Sequence, residues 1–127
     1  MQRYFMLGLA MLCGAVLGAS AVNGLRAQDK APGAYAVLDV SEIIDPTRMI
    51  EIVTKAAPSV KAGGGRYIAR TDKITALSGT PPQRVVIVAF DSVDQARAWY
   101  NSPEQMPINA IAEKAIKQRW YVVDGAM

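Results

Sequence analysis

The chain has 127 residues, of which 51% are hydrophobic, with 14 Lys and Arg against 11 Asp and Glu for a formal net charge of +3. That length suits one domain with a real core. There is no histidine and a single cysteine, Cys13, which excludes imidazole catalysis, imidazole metal sites and an intrachain disulfide.

Residues 1–27 differ from the remainder. Arg3 precedes an uncharged stretch, residues 5–17 (FMLGLAMLCGAVL), and small residues follow at Gly18, Ala19, Ser20 and Ala21. A positive end, an apolar centre and a small-residue exit compose a secretory signal peptide. Cleavage is expected after Ala21 or after Ala27, leaving residues 28–32 as an exposed arm, residues 33–125 as the domain and residues 126–127 as a tail. The expected destination is periplasmic or secreted, without stable membrane association once the leader is gone. An uncleaved leader would instead anchor the chain, since residues 5–22 run without a charge, near the lower length limit for a span. Cys13 lacks a small residue just before it and sits inside the apolar run, so lipid attachment there is not expected. Loss of Arg3, Arg26 and Cys13 leaves twelve basic against eleven acidic residues and no thiol. Such a balanced surface gives no reason to expect a nucleic-acid partner.

Residues 33–40 (GAYAVLDV) read as a first strand. Asp45-Pro46 is a helix start, an N-cap carboxylate followed by proline, and Met49, Val53, Ala57 and Val60 recur on one face. Pro58 is expected to interrupt this helix or begin a short second turn, and Gly63-Gly64-Gly65 ends it. Residues 66–70 form a second strand, expected to continue as a bend or hairpin through Leu77. After the turn at residues 78–82, residues 84–90 are the most apolar strand. Asp91 and Asp94 suggest a capping box for a helix carrying Val93, Ala96 and Tyr100. A second segment starts near Ser102 and Pro103, with Pro107 breaking its first turn and Ile108, Ile111 and Ala115 as its stripe. Residues 120–123 close the domain as a last strand. The order β-α-β-β-α-β is that of an α+β, ferredoxin-like fold with a split second helix.

Strand parity adds an expectation. Tyr35, Val37 and Asp39 oppose Ala36, Leu38 and Val40, and Val86, Val88 and Phe90 oppose Val85, Ile87 and Ala89. Strands apolar on both faces need cover on both, and two helical segments supply one. A second copy of the sheet is the most economical second cover, so a homodimer is expected.

Candidate functional residues are few. Gly63-Gly64-Gly65-Arg66 lies after a helix and before a strand, the reverse of a phosphate loop. No carboxylate spacing calls for a metal, and no cofactor is expected. Asp39 is a charge on an otherwise apolar strand, and Arg70 is its candidate counterpart. With Tyr35 and Tyr67 they could line a pocket holding an anion, provided the second strand bends or bulges, because Tyr67 and Arg70 are three residues apart. The alternative is an edge ion pair or solvated strand ends. Trp99 and Tyr100 read as packing anchors.

Residues 35–40 (YAVLDV), Asp45-Pro46, Gly64-Gly65-Arg66-Tyr67, Arg70 and the run Ala96 to Glu104, centred on Trp99, Tyr100, Asn101, Ser102 and Pro103, resemble the domain-of-unknown-function family numbered 1330. The likeness spans residues 31–125. It implies a dimeric α+β barrel in which two ferredoxin-like sheets pack face to face, a class that includes small monooxygenases, and it supplies no catalytic residue. Gly64, Gly65, Arg66 and residues 99–103 are thereby implied to be structural. Family members often place an aromatic residue after the Ser-Pro-Glu run, where this chain has Gln105. The leading expectation is a homodimeric domain binding a small molecule without catalysis. The alternative is a cofactor-independent monooxygenase, isomerase or related enzyme, and a structural role is third.

Overall fold

A computed structural model describes residues 31–126. The leader, both expected cleavage positions and residues 28–30 lie outside the described residues. Among the described residues no helix is long and apolar enough to cross a membrane. The elements are β1 (Ala34–Ile43), α1 (Pro46–Ala62), β2 (Arg66–Thr71), β3 (Arg84–Phe90), α2 (Val93–Tyr100), α3 (Met106–Ala115) and β4 (Ile116–Asp124). They form the expected β-α-β-β-α-β order with a divided second helix.

The strands make one antiparallel sheet in the order β2-β3-β1-β4. This corrects the expected barrel: the sheet is open, with β2 and β4 as free edges. About eight strands are needed before a closed interior is wide enough for side chains, and four strands cannot curl shut on themselves. Two-sided apolarity therefore marks a face that no helix among the described residues covers, not closure. On β1, Ala34, Ala36, Leu38 and Val40 are buried under the helices, whereas Tyr35, Val37 and Asp39 are half-buried on the open face. Val86, Val88 and Phe90 of β3 join the covered side, and Tyr121 and Val123 of β4 stay exposed on the other.

Local chemistry explains the helix limits and several departures from expectation. Asp45 caps α1 by accepting from the amides of Thr47 at 3.1 Å and Arg48 at 3.2 Å. The helix runs through Pro58 instead of breaking there. Pro58 is exposed, so its ring faces solvent and the lost bond is the one its missing N–H would have made. Beyond it, Gly63 N–H donates to Ser59 O at 3.0 Å and Gly65 N–H to Val60 O at 2.9 Å. The buried stripe of α1 is Met49, Ile52, Ser59 and Val60, while Ala57 is exposed. Ser92, not Asp91, caps α2: its Oγ accepts from Gln95 N at 3.0 Å, and Gln95 Oε1 accepts from Asp91 N at 2.7 Å. Pro107 sits in the first turn of α3, where an amide is unneeded, and so starts the helix. No hairpin follows β2. Residues 72–83 form no strand, and Leu77 is 96% exposed. The last strand begins at Ile116, immediately after α3.

The glycine run and the tryptophan segment belong together. A Cβ on Gly63 would lie 2.5 Å from the Trp99 ring, and one on Gly65 would lie 2.7 Å from Val88 Cγ1 and 2.8 Å from the Phe90 ring. Gly64, between them, has φ +80°, a conformation that costs other residues a steric clash. Trp99, only 3% exposed, can therefore lie close against the chain, 5.3 Å from Phe90 between ring centroids.

Candidate small-molecule site

Pairing register fixes which side chains meet beneath the helices. Leu38 faces Val86 on β3 and Trp120 on β4, and Val86 faces Arg70 on β2. One step along, Val40 has Arg84 on one side and Gln118 on the other. Since Val40 points into the core, its cross-strand neighbours Arg84 and Gln118 point there too. The apolar sheet thus acquires a polar end.

β2 joins this face through an irregularity. The register slips between Tyr67 and Ala69, so Tyr67 opposes Val88 and Arg70 opposes Val86. Both partners are buried on the covered face, and the extra residue, Ile68, restores a parity that a spacing of three would break. The Arg70 guanidinium lies 4.4 Å from the Tyr67 ring centroid, a cation–π distance.

Arg70, Tyr67, Arg84 and Gln118 line a small cavity between the sheet and helices α1 and α3, with Leu38, Ile52 and Ile108 among its apolar walls. Its free volume is about 40 Å³, space for a few water-sized groups. Among the described residues, two buried atoms of these side chains have no hydrogen-bond partner: Arg84 Nε and Gln118 Oε1. Among the described residues no ion pair holds Arg84. No Asp or Glu among the described residues lines the cavity.

A second set of polar groups at its wall is satisfied. Trp99 Nε1 donates to Ser59 Oγ at 3.2 Å, and Ser59 Oγ donates to Gln105 Oε1 at 2.8 Å. Gln105 Nε2 donates to Asn109 Oδ1 at 2.8 Å, and Asn109 Nδ2 to Tyr100 O at 3.0 Å. Gln105 is 3% exposed and ties α1, α2 and α3 into one wall.

Outside lies a larger groove of about 450 Å³ between α2 and β4, lined by Val93, Ala96, Arg97, Tyr121 and Val122 among others. Trp99, Gln118 and Trp120 line both spaces. Trp120 rests edge-on against Trp99 at 5.3 Å and Tyr100 at 6.2 Å. Gln118 and Trp120 are thus the common wall of cavity and groove.

The four residues read from sequence as one pocket are divided. Tyr67 and Arg70 border the cavity, while Tyr35 and Asp39 lie on the opposite, open face. Asp39 accepts a 2.9 Å hydrogen bond from Arg119 on the neighbouring strand, not from Arg70. That hydrogen bond, with the carboxylate's charge, raises the pKa of Arg119 above the usual arginine value. The motif residues hold structure: Asn101 Nδ2 bonds Arg97 O at 2.9 Å, Ser102 Oγ accepts from Gln105 N at 3.2 Å, and Pro103 occupies the exposed turn. Arg66, opposite Ala89, is exposed at the start of β2. Among the described residues no group of His, Cys, Asp and Glu could hold a metal ion.

Arg84, Gln118, Gln105, Asn109 and Trp120 were absent from the candidates read in sequence. For Arg84 and Gln118 parity was the available signal: Arg84 shares it with Val86 and Val88, and Gln118 with Trp120. Beginning the last strand at residue 120 hid the second of these.

The same fold occurs in several solved structures. RPA0582, a protein of unknown function from Rhodopseudomonas palustris, is similar with TM-score 0.61 at 12% identity, covering 84% of this chain and 93% of that one. A dimeric ferredoxin-like protein of unknown function from Thermobifida fusca gives TM-score 0.57 at 15% identity, covering 75% and 92%. SnoaB, a cofactor-independent oxygenase from Streptomyces nogalater, gives TM-score 0.50 at 11% identity, covering 76% and 94%. At these identities the likeness is one of fold. No curated protein sequence matches the chain. Residues 33–126 match the domain of unknown function DUF1330, and the chain belongs to that family.

Proposed function

We propose that this chain is a small-molecule enzyme of the cofactor-independent oxygenase or isomerase kind, working in the cavity between the sheet and helices α1 and α3. The observation that carries the reading is Arg84, whose Nε is buried without a partner in a largely apolar cavity. Arg84 is half-buried, and its buried Nε–H without an acceptor favours an anionic or carbonyl oxygen beside it. The oxygenase of the same fold supports the chemistry.

Ground-state oxygen combines directly only with electron-rich substrates, such as an enolate or phenolate. Arg84 would stabilise that anion and lower the substrate's pKa so that its proton passes to water, with Arg70 adding charge at the rim. The substrate anion would pass one electron to oxygen, and recombination at carbon would form the new C–O bond. Loss of water from the resulting hydroperoxide converts a CH₂ to a carbonyl. One oxygen atom is retained, the other leaves as water, and no external reductant is consumed. Without oxygen, protonating the same anion at another position is isomerisation.

Binding without turnover is the second reading. It is favoured by a lining without a carboxylate among the described residues, which leaves Tyr67 as the one lining side chain that can exchange a proton. Oxygen-electrode measurements with a panel of phenols and 1,3-diketones separate the two. Uptake that depends on protein and falls in Arg84→Gln supports the enzyme. Saturable binding without oxygen uptake or substrate rearrangement refutes it in favour of the binder.

Two expectations stand with this proposal. A second copy of the chain covers the open face, as Val37, Ile87 and Val123 on that side and the dimeric relative from Thermobifida fusca suggest; sedimentation of residues 28–127 as a monomer at micromolar concentration would refute it. Export is the other. N-terminal sequencing of protein made with its own leader should find Val22 or Gln28 first, and a chain still beginning at Met1 would refute cleavage.

A further inference from the structure

The two unpartnered atoms have opposite hydrogen-bonding character. Arg84 Nε–H is a donor needing an acceptor, and Gln118 Oε1 is an acceptor needing a donor. They come from strands on either side of β1, flanking Val40, so their backbones are roughly 10 Å apart and their side chains reach into one cavity. A ligand satisfying both must present an acceptor and a nearby donor, which a carbonyl or anionic oxygen beside a hydroxyl supplies.

Size constrains the remainder of such a molecule. The inner cavity, about 40 Å³, has room for a head group only, whereas the groove beyond Gln118 and Trp120 holds about 450 Å³, within the range of small-molecule pockets. Trp120 packs edge-on against Trp99 and Tyr100 and, with Gln118, separates the two spaces, so a ligand reaching from one to the other must displace the Trp120 ring.

We infer that the ligand is a planar hydroxy-carbonyl compound. Its anionic or carbonyl oxygen accepts from Arg84, its hydroxyl donates to Gln118, and its apolar body passes Trp120 into the groove between α2 and β4. This rests on the reading of the cavity as the substrate site and names the class of molecule it takes.

Three fluorescent probes test the head group: 3-hydroxy-2-naphthoate, its 3-methoxy analogue and 2-naphthoate. In the wild-type protein the hydroxy compound should bind about three- to ten-fold more tightly than the methoxy compound, the value of one neutral hydrogen bond. Gln118→Leu should remove that preference while the two other probes bind as before. Arg84→Gln should weaken all three by roughly ten-fold or more, and Arg84→Lys, which keeps the charge, should recover part of the loss. Circular dichroism melts establish that each variant is folded. Equal binding of hydroxy and methoxy probes to wild type, a preference surviving in Gln118→Leu, or full affinity in folded Arg84→Gln would each overturn the inference, leaving water as the partner of those atoms. For the body of the ligand, Trp120→Phe should change naphthoate affinity but not that of salicylate, a single-ring probe. Equal responses place the body elsewhere and overturn that half. Failure here is distinct from failure of the enzyme reading. Probe selectivity without oxygen uptake or rearrangement sinks the enzyme alone, and turnover indifferent to residue 118 sinks the hydroxy-carbonyl head alone.

Discussion

Replacing Gly65 by alanine tests how closely the family motif is packed. The added Cβ would stand 2.7 Å from Val88 Cγ1 and 2.8 Å from two Phe90 ring atoms, against an ordinary carbon–carbon separation of about 3.5–4.0 Å. Val88 and Phe90 are 0% and 2% exposed, so neither can turn outward. Relief requires the start of β2 to move away from β3 by roughly 0.7–1 Å, or Phe90 to press on Trp99. Overpacking of this kind costs about 1–3 kcal/mol, and the burial of both neighbours places Gly65→Ala in the upper half of that range. For a domain of this size each kcal/mol lowers Tm by about 4–8 °C, so a fall of roughly 8–24 °C is expected. Gly79→Ala is the comparison. Gly79 has φ +75° and nothing within 4 Å of its notional Cβ, which isolates backbone strain of about 1–2 kcal/mol. Urea and thermal unfolding followed by far-UV circular dichroism measure both variants. Gly65→Ala should also perturb the near-UV aromatic signal of Trp99, which Gly79→Ala should not touch. A Gly65→Ala protein melting with wild type, or Gly79→Ala proving clearly the more damaging, would refute the close-packing argument.

Trp99→Phe removes the donor to Ser59 and some buried ring volume, and should cost about 2–3 kcal/mol in urea unfolding; a change within 0.5 kcal/mol, by the same estimate, would remove Trp99 from its structural role. Asp39→Asn should leave naphthoate binding unchanged, because Asp39 and its partner Arg119 lie on the open face; a large loss of affinity would place the site on that face. Glu51 is held below the usual glutamate range by the hydrogen bond from Lys55 and by the charges of Lys55 and Arg48. The pair's contribution is therefore complete above the ordinary glutamate pKa and disappears as pH falls through the lowered value. Lys55→Ala should move the Glu51 titration midpoint upward in NMR, and an unmoved midpoint would refute the pairing.

Much of the scaffold was legible because its causes are local. Asp45-Pro46 shows a helix start wherever the helix goes next, and alternation on β1 and β3 sorts the faces before any partner is known. Boundaries failed where local chemistry competed with context. Pro58 suggests a break, but at an exposed position packing on both sides carries the helix through it. Asp91 and Ser92 are both good N-caps, and only geometry shows that Ser92 accepts from Gln95. The divided site failed for a different reason. Asp39 could be matched with any arginine ending a strand, and the neighbour that wins, Arg119, is set by the β1–β4 register that puts it directly opposite. The slip at Ile68 that brings exposed Arg70 to the cavity rim on the covered side of the sheet has no marker either. Neither glycine nor proline sits there, and the sequence permits a bulge without requiring it.

The motif that identifies the family and the residues that give the cavity its chemistry occupy opposite ends of the same sheet. Phe90 and Ala34 make one end of the covered face, with Val88 and Ala36 beside them, and it is closed by Gly63, Gly65 and Trp99 at distances that leave no space for another side chain. Arg84, Val40 and Gln118 make the other end, where the helices cover the sheet less tightly and a cavity remains. Packing constrains the first end strongly, since even one methyl group at Gly65 is too large. The second end is held by long side chains, whose polar tips can change without altering the strands that carry them. The tryptophan and glycine signature therefore testifies to how the sandwich is closed. On the proposal made above, the ligand is specified by positions 84 and 118, which carry no motif and can change without altering the strands that hold them.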